Sequence, residues 1–371
     1  MTEIVAFEVR KNRLAETRLA RKVAPELQDG QAMIKVDRFA FTANNVTYGV
    51  VGERIGYWKF FPAGGSDENA GGEDARGDWG IIPVWGFGDV VASRCADLPA
   101  GERLYGYWPM ASHLVMTPAK VGDARLFDGA AHRQELPPVY NSYARVRNEP
   151  GYDPAMDDER MTLFPLYATS FCLYDFFKDN DWFGAERIII PSASSKTAIG
   201  TAYAVRTDPD PRPMIALTSP RNKPAVEALK LYDDVLSYDE IDALDAGRRS
   251  AIIDMSGNGA VLGRLHRRLG DNMTYTANVG LTHYDANAMG PDVIRERSAM
   301  FFAPGHIQKR AKDWGPGEFE KRAFAFWRDA AVKSRDWLAI RTGAGAEAIS
   351  SAYQEVLKGD TPADAAWALR F

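Results

Sequence analysis

Cysteine is almost missing from this sequence: Cys95 and Cys172 are the only two in 371 residues. Two thiols exclude a disulfide scaffold and a four-thiolate zinc site. Histidine is scarce too, with five scattered residues, so no metal site is expected. No apolar run approaches the roughly 18 residues that a membrane-spanning helix needs. A basic excess is also lacking. Lys and Arg number 45 against 50 Asp and Glu, a net charge of −5, which argues against a nucleic-acid partner. At the N-terminus Glu3, Glu8, Arg10 and Lys11 interrupt the apolar residues. No signal-peptide core forms, and the cytoplasm is the expected location.

What is present divides in two, in keeping with roughly 150 residues per domain. Up to about residue 120 the chain reads as short strands: Ile4–Val9, Ala32–Val36, Ile81–Trp85, Val90–Ala92, Arg103–Tyr107 and His113–Met116. Glycines and prolines punctuate them, as in a small β-barrel or sandwich. Between them, residues 63–80 are rich in Gly, Asp and Glu and nearly free of apolar side chains. Such a segment reads as a solvated, flexible insertion or as a lid. From Met161 the pattern becomes α/β. A long apolar helix, with Pro165 early in it, precedes strands at Arg187–Pro191, Met214–Thr218, Val235–Leu236, Ala251–Asp254 and Thr274–Val279. Helices are expected at Lys196–Val205, Lys223–Leu231 and Ala260–Leu269. This alternation predicts a doubly wound parallel sheet. Helices follow at Glu318–Ile340 and Ala346–Leu357, and a last strand at Ala366–Phe371 returns to the first domain.

The first βα turn of such a sheet is where a dinucleotide phosphate sits, against a helix N-terminus. Here the glycine fingerprint is absent. Ser192, Ala193, Ser194, Ser195, Lys196 and Thr197 stand in its place. Small residues still allow close approach, their hydroxyls can donate to phosphate, and Lys196 adds charge. The alternative is a serine-rich cap on an ordinary helix. After the second strand no carboxylate is present to bond an adenosine ribose. Ser219, Arg221 and Lys223 occur there instead, a grouping suited to a 2′-phosphate and so to NADP(H). Asn278 and Gly280 follow the fifth strand, on the ligand side of the sheet.

These pieces resemble the medium-chain dehydrogenase/reductase superfamily. Phe41–Thr47 is similar to its Asn-x-x-Asp stretch, Pro99–Gly106 to its V-G-D-R-V-x-G turn, Leu166–Ser170 to the helix before the cofactor strand, and Ile349–Phe371 to its closing helix and strand. Lys223 and Tyr238 match the spacing of a lysine and tyrosine that hold the 2′-phosphate in NADPH-dependent quinone oxidoreductases. The chain resembles most the zinc-independent quinone oxidoreductase and enoyl reductase branch, and within it an uncharacterised domain-of-unknown-function family. The resemblance implies a GroES-like β-barrel domain over 1–160 and 305–371 and a Rossmann domain over 161–304. It also implies a homodimer, and a small-molecule acceptor reduced without zinc.

The same resemblance places Asn44 facing substrate and nicotinamide, with Tyr48 one turn beyond. Tyr57 stands where enoyl reductases of the branch keep a tyrosine proton donor. The loop from Asn278 to His283 would run along the nicotinamide. Two other functions remain open at this stage. One is a non-redox lyase or isomerase using Lys196, Tyr57 and His283; the other is a nucleotide-binding sensor without turnover.

Overall fold

A computed structural model describes residues 2–64, 76–280 and 292–371. The chain folds as two compact units, Met1–Thr162 with Ala339–Phe371, and Leu163–Leu338. The helices between 305 and 338 therefore group with the second unit, not with the first as the sequence reading has it. Apolar packing is the reason: Phe319 and Ala323 bury against Cys172 and Phe171 in the long helix that opens that unit.

The first unit is largely antiparallel. In chain order it contains β1 (Glu3–Arg10), β2 (Arg13–Val23), β3 (Ala32–Phe41), α1 (Ala43–Val50), α2 (Gly52–Ile55), β4 (Trp79–Gly80), β5 (Pro83–Ser93), β6 (Arg103–Pro109), β7 (His113–Met116), β8 (Pro118–Ala119), β9 (Arg125–Asp128) and β10 (Ser142–Arg145). Strand β2 is unexpected. Its sequence RLAETRLARKV places charges on both faces, so no apolar alternation announces it. Its register against β1 sets Arg18 opposite Glu8, and the two are bridged at 2.8 Å. Arg21 reaches Glu3 at 2.7 Å farther along the same pair of strands. Residues 65–75 of the expected insertion lie outside the described residues. Its end is ordered: Trp79 and Gly80 are buried and pair with β1.

The second unit begins within α3 (Asp157–Asp179) and continues with β11 (Arg187–Pro191), α4 (Lys196–Arg206), β12 (Met214–Thr218), α5 (Lys223–Ala228), β13 (Asp234–Ser237), β14 (Ser250–Asp254), α6 (Gly259–Leu269), β15 (Met273–Asn278), β16 (Ser298–Met300), α7 (Ala303–Trp314) and α8 (Glu318–Ser334). Because α3 starts at Asp157, Pro165 falls in its interior rather than near its start, removing one backbone donor. The sheet order is β13-β12-β11-β14-β15-β16, with every pairing parallel. The order in which strands are added thus reverses between β11 and β14, which makes their carboxyl ends the switch point. Strand residues alternate between two cores. Ile188 and Ile190 pack with Phe177, Ala198 and Ile253, whereas Ile189 packs with Leu217, Ile252 and Leu265.

Strand β17 (Ala339–Ala344), α9 (Gly345–Leu357) and β18 (Ala365–Arg370) return to the first unit. The expected helix over Glu318–Ile340 in fact stops at Ser334, where Trp337 and Leu338 turn back onto its carbonyl. Residues from Ala339 instead join β18 in a parallel ladder, so a tertiary partner overrides local helix preference. The sheet path runs β17-β18-β3-β5-β6-β10-β9-β8, antiparallel at every step after β17-β18, with β7 also on β3. No helix among the described residues is long and apolar enough to cross a membrane.

One buried histidine makes stability pH-dependent. His266 on α6 is 1% exposed. Its Nδ1 accepts from the Ile294 amide at 2.9 Å, and its Nε2 lies 3.0 Å from the Thr276 hydroxyl. Burial, helped by Arg297, pulls its pKa down to about 4. The unfolded chain therefore binds this proton first as pH falls. The stabilisation is complete above pH 6.5, the unperturbed value, and is lost as pH drops toward 4. We expect this group to remove about 3 kcal/mol over that window. Urea midpoints from pH 7 to 4, in wild type and His266→Gln, check it: the variant should lose that part of the slope.

Candidate active site

In the first unit, the start of α1 is fixed by Asn45. Its Oδ1 accepts from the Thr42 amide at 2.8 Å, and its Nδ2 donates to the Pro83 carbonyl at 3.1 Å. That cap sets the helix rotation and places Asn44 and Tyr48, four residues apart, on one face. Asn44 Nδ2 donates to Tyr48 Oη at 2.7 Å. Trp85 Nε1 approaches the same oxygen at 3.4 Å. Both contacts use the oxygen as acceptor, so the Tyr48 hydroxyl hydrogen is left for another partner.

Tyr57 follows α2 in a short 3-10 turn, with its ring 4.6 Å from that of Tyr48. Its hydroxyl is 3.0 Å from that of Tyr140. The structure thus brings together all three side chains expected to be catalytic, Asn44, Tyr48 and Tyr57. It adds Trp85, Tyr107 and Tyr140, which sequence reasoning missed. Register supplies two of them, since Trp85 faces Tyr107 across β5 and β6, and Tyr140 packs on Tyr107 at 4.7 Å. The Tyr107 hydroxyl is buried and has no hydrogen-bond partner among the described residues. Alternating aromatics at 105 and 107 were the available signal.

Burial raises the pKa of each of these phenols. Tyr57 is pushed up to about 12 by burial and by Tyr48. Tyr48 is raised further by burial, with the Asn44 and Trp85 hydrogen bonds pulling the other way. Tyr107 and Tyr140 are also held well above the usual range by burial. At neutral pH all four are therefore protonated, fit to donate a hydrogen bond rather than to act as bases.

In the second unit, the turn after β11 carries the strain expected of a missing glycine. Ser192 has φ 57°, a left-handed conformation. Its amide donates to the Tyr238 hydroxyl at 3.1 Å. Ser195 caps α4, its hydroxyl accepting from the Ala198 amide at 3.3 Å. Ser194 meets two residues not anticipated, Asn222 at 3.2 Å and Thr218 at 3.5 Å. The Ser219 carbonyl accepts from the Asn222 and Lys223 amides. Lys196 and Thr197 form the first turn of α4, whose amide hydrogens have no earlier helical carbonyl to bond. Ser192, Ser194, Ser219 and Tyr238 therefore do converge around the carboxyl ends of β11 and β12.

The remaining expected residues have other duties. Asn278 is buried, and its Nδ2 donates to the Ala299 carbonyl at 3.3 Å, tying β15 to β16. Gly280 allows two loops to touch: a Cβ there would lie 2.6 Å from the Gly257 nitrogen and 2.7 Å from the Met255 oxygen. Lys223 is not a free cation, because Glu240 pairs with it at 2.7 Å. Arg221 is exposed. His283 lies outside the described residues. Among the described residues no three His, Cys, Asp or Glu side chains group as a metal site requires.

Replacing Ser192 by glycine tests the strain. Relief of a left-handed non-glycine residue outweighs the added chain entropy of glycine. We expect Ser192→Gly to stabilise the protein by about 1 kcal/mol, read from the urea midpoint. A loss of stability would contradict it.

A sequence profile of the family described as "protein of unknown function (DUF2855)" matches residues 39–362. No curated protein matches in sequence. Solved structures do match across the whole chain. The CurF ER cyclopropanase of the curacin A biosynthetic pathway is 13% identical with a TM-score of 0.57, covering 99% of both chains. The quinone oxidoreductase from Coxiella burnetii is 12% identical with a TM-score of 0.56, covering 100% of both. S. aureus TarJ, solved in complex with NADPH, is 9% identical with a TM-score of 0.56, covering 100% of this chain and 99% of that one. At such identities the likeness shows the fold alone, a GroES-like domain and a Rossmann domain.

Proposed function

The chain belongs to the DUF2855 family, whose description assigns no activity, and from its own residues we propose an NADPH-dependent oxidoreductase that reduces an activated alkene, a quinone or a related carbonyl compound. The observation that carries this reading is the Tyr48 hydroxyl. Its oxygen is occupied by Asn44 and approached by Trp85, and its hydrogen is left to bond an oxygen that gathers negative charge.

The second unit offers a fitting seat for the dinucleotide. It has a switch point, a tight small-residue turn opening an 11-residue helix, and hydroxyl donors at Ser192, Ser194 and Ser219. Ser195 caps that helix, Lys196 and Thr197 form its first turn, and Arg221 supplies charge beside Lys223, which is already paired with Glu240. Asn278 and Gly280 hold the loops beside it. Bound there, reduced nicotinamide would supply a hydride.

The first unit supplies the acceptor's environment. Tyr48 donates to the acceptor oxygen, and Asn44 and Trp85 aim it and make its proton easier to share. Tyr57, bonded to Tyr140, bears on the same aromatic group and keeps water from Tyr48. No step calls for a metal ion. We include in the proposal a small-molecule acceptor, a cytoplasmic location and a homodimer, the last of which light scattering tests. The reading as a whole is tested by mixing purified protein with NADPH and a panel of enones and quinones, following nicotinamide absorbance. Acceptor-dependent oxidation supports it; NADPH that is never consumed overturns it.

A further inference from the structure

Resting on that dinucleotide reading, we propose that Glu240 tempers the cofactor preference: its carboxylate competes with an adenosine 2′-phosphate for the Lys223 ammonium and narrows the margin by which NADPH is bound over NADH.

The arrangement follows from register. β12 and β13 run parallel with Thr218 beside Ser237, so the residues after each strand emerge at the same end of the sheet, the ligand end. After β12 come Arg221 and Lys223; after β13 comes Tyr238-Asp239-Glu240. Glu240 is pinned from two directions. Its Oε2 accepts from the Ser237 amide at 2.7 Å, as part of a capping box, and meets Lys223 Nζ at 2.7 Å. The lysine and the backbone hydrogen bond keep the Glu240 carboxyl well below its ordinary pKa, at about 2. It is an anion throughout the range in which the protein would work.

A 2′-phosphate approaching Lys223 thus meets an ammonium that already has a carboxylate in hydrogen-bond contact. Two anions then share one cation, and the phosphate gains less than from an unpaired lysine. Arg221, exposed and without an ion pair among the described residues, is the cation that stays uncommitted. NADH carries no phosphate at this position, and its ribose hydroxyls can donate to the same carboxylate. Glu240 therefore sits where one side chain penalises one cofactor and accommodates the other.

Glu240→Gln separates this role from the structural one. Glutamine keeps an acceptor for the Ser237 amide, as capping boxes allow, and removes only the charge. Dissociation constants for NADPH and NADH are measured by calorimetry, with no acceptor present. Glu240→Gln should tighten NADPH about three- to tenfold and move NADH by less than about twofold. Lys223→Met, which leaves the cap untouched, should weaken NADPH about tenfold and spare NADH. An unchanged NADPH-to-NADH ratio in Glu240→Gln, with NADPH still bound, overturns the role of Glu240 and leaves the dinucleotide reading standing. Failure of wild type and both variants to bind either nucleotide overturns both.

Discussion

Tyr48→Phe lowers kcat/KM for the acceptor by about 10²-fold and leaves the NADPH dissociation constant unchanged. The size follows from what the substitution removes. The phenyl ring and its packing against Tyr57 and Tyr107 remain, at 4.6 and 5.7 Å in the wild type. Only the hydroxyl is lost, and with it the hydrogen that Asn44 and Trp85 leave uncommitted. A donor aimed at developing negative charge in a buried site acts mainly on the transition state, so the loss falls on kcat rather than on cofactor affinity. Tyr57→Phe should cost less than about tenfold, because the Tyr57 hydroxyl is already bonded to that of Tyr140. Steady-state kinetics beside a fluorescence titration of NADPH checks both. Equal losses in the two variants would mean that Tyr48 holds no special position.

Arg133→Met should destabilise the first unit by about 3–5 kcal/mol, the largest stability effect expected of a single substitution here. Arg133 is 1% exposed and fully engaged. Its Nε donates to Asn141 at 2.7 Å, its Nη1 to Asp128 at 2.8 Å and to Tyr143 at 2.9 Å, and its Nη2 to the Tyr140 carbonyl at 2.9 Å. The guanidinium also lies 4.8 Å from the centre of the Phe61 ring. Methionine fills much of the volume but strands the buried Asp128 carboxylate without its counter-charge. The turn that carries Tyr140 loses an anchor at the same time, so Tyr57 loses the register of its partner. Urea unfolding measures the loss, and Arg133→Met with Asp128→Asn should recover part of it by removing the stranded charge. A loss below about 1 kcal/mol would show that the network contributes little.

The two units were not equally legible in the sequence. In the second, β11 and β12 have the expected ends, Arg187–Pro191 and Met214–Thr218, because strands buried on both faces must be continuously apolar. In the first, β2 carries charges on both faces and escaped notice, since an ion-paired strand beside β1 needs no apolar face of its own. The candidate site shows the same division. Asn44, Tyr48 and Tyr57 lie in one short segment, and their proximity could be anticipated. Trp85, Tyr107 and Tyr140 reach them only through the pairing of β5 with β6 and the turn before β10, long-range contacts that no local pattern encodes. Glu240 was hidden for a related reason. Ser237-Tyr238-Asp239-Glu240 is readable as a helix start, but its approach to Lys223 depends on the parallel register of β12 and β13.

The most direct test is anaerobic mixing of the purified protein with NADPH and a panel of enones and quinones, counting NADPH consumed against acceptor reduced in wild type and Tyr48→Phe. Stoichiometric consumption that saturates with one acceptor class, and falls about 10²-fold in the variant, is the predicted result. NADPH that is bound but never consumed, or turnover indifferent to the Tyr48 hydroxyl, would contradict an NADPH-dependent reductase built around that group.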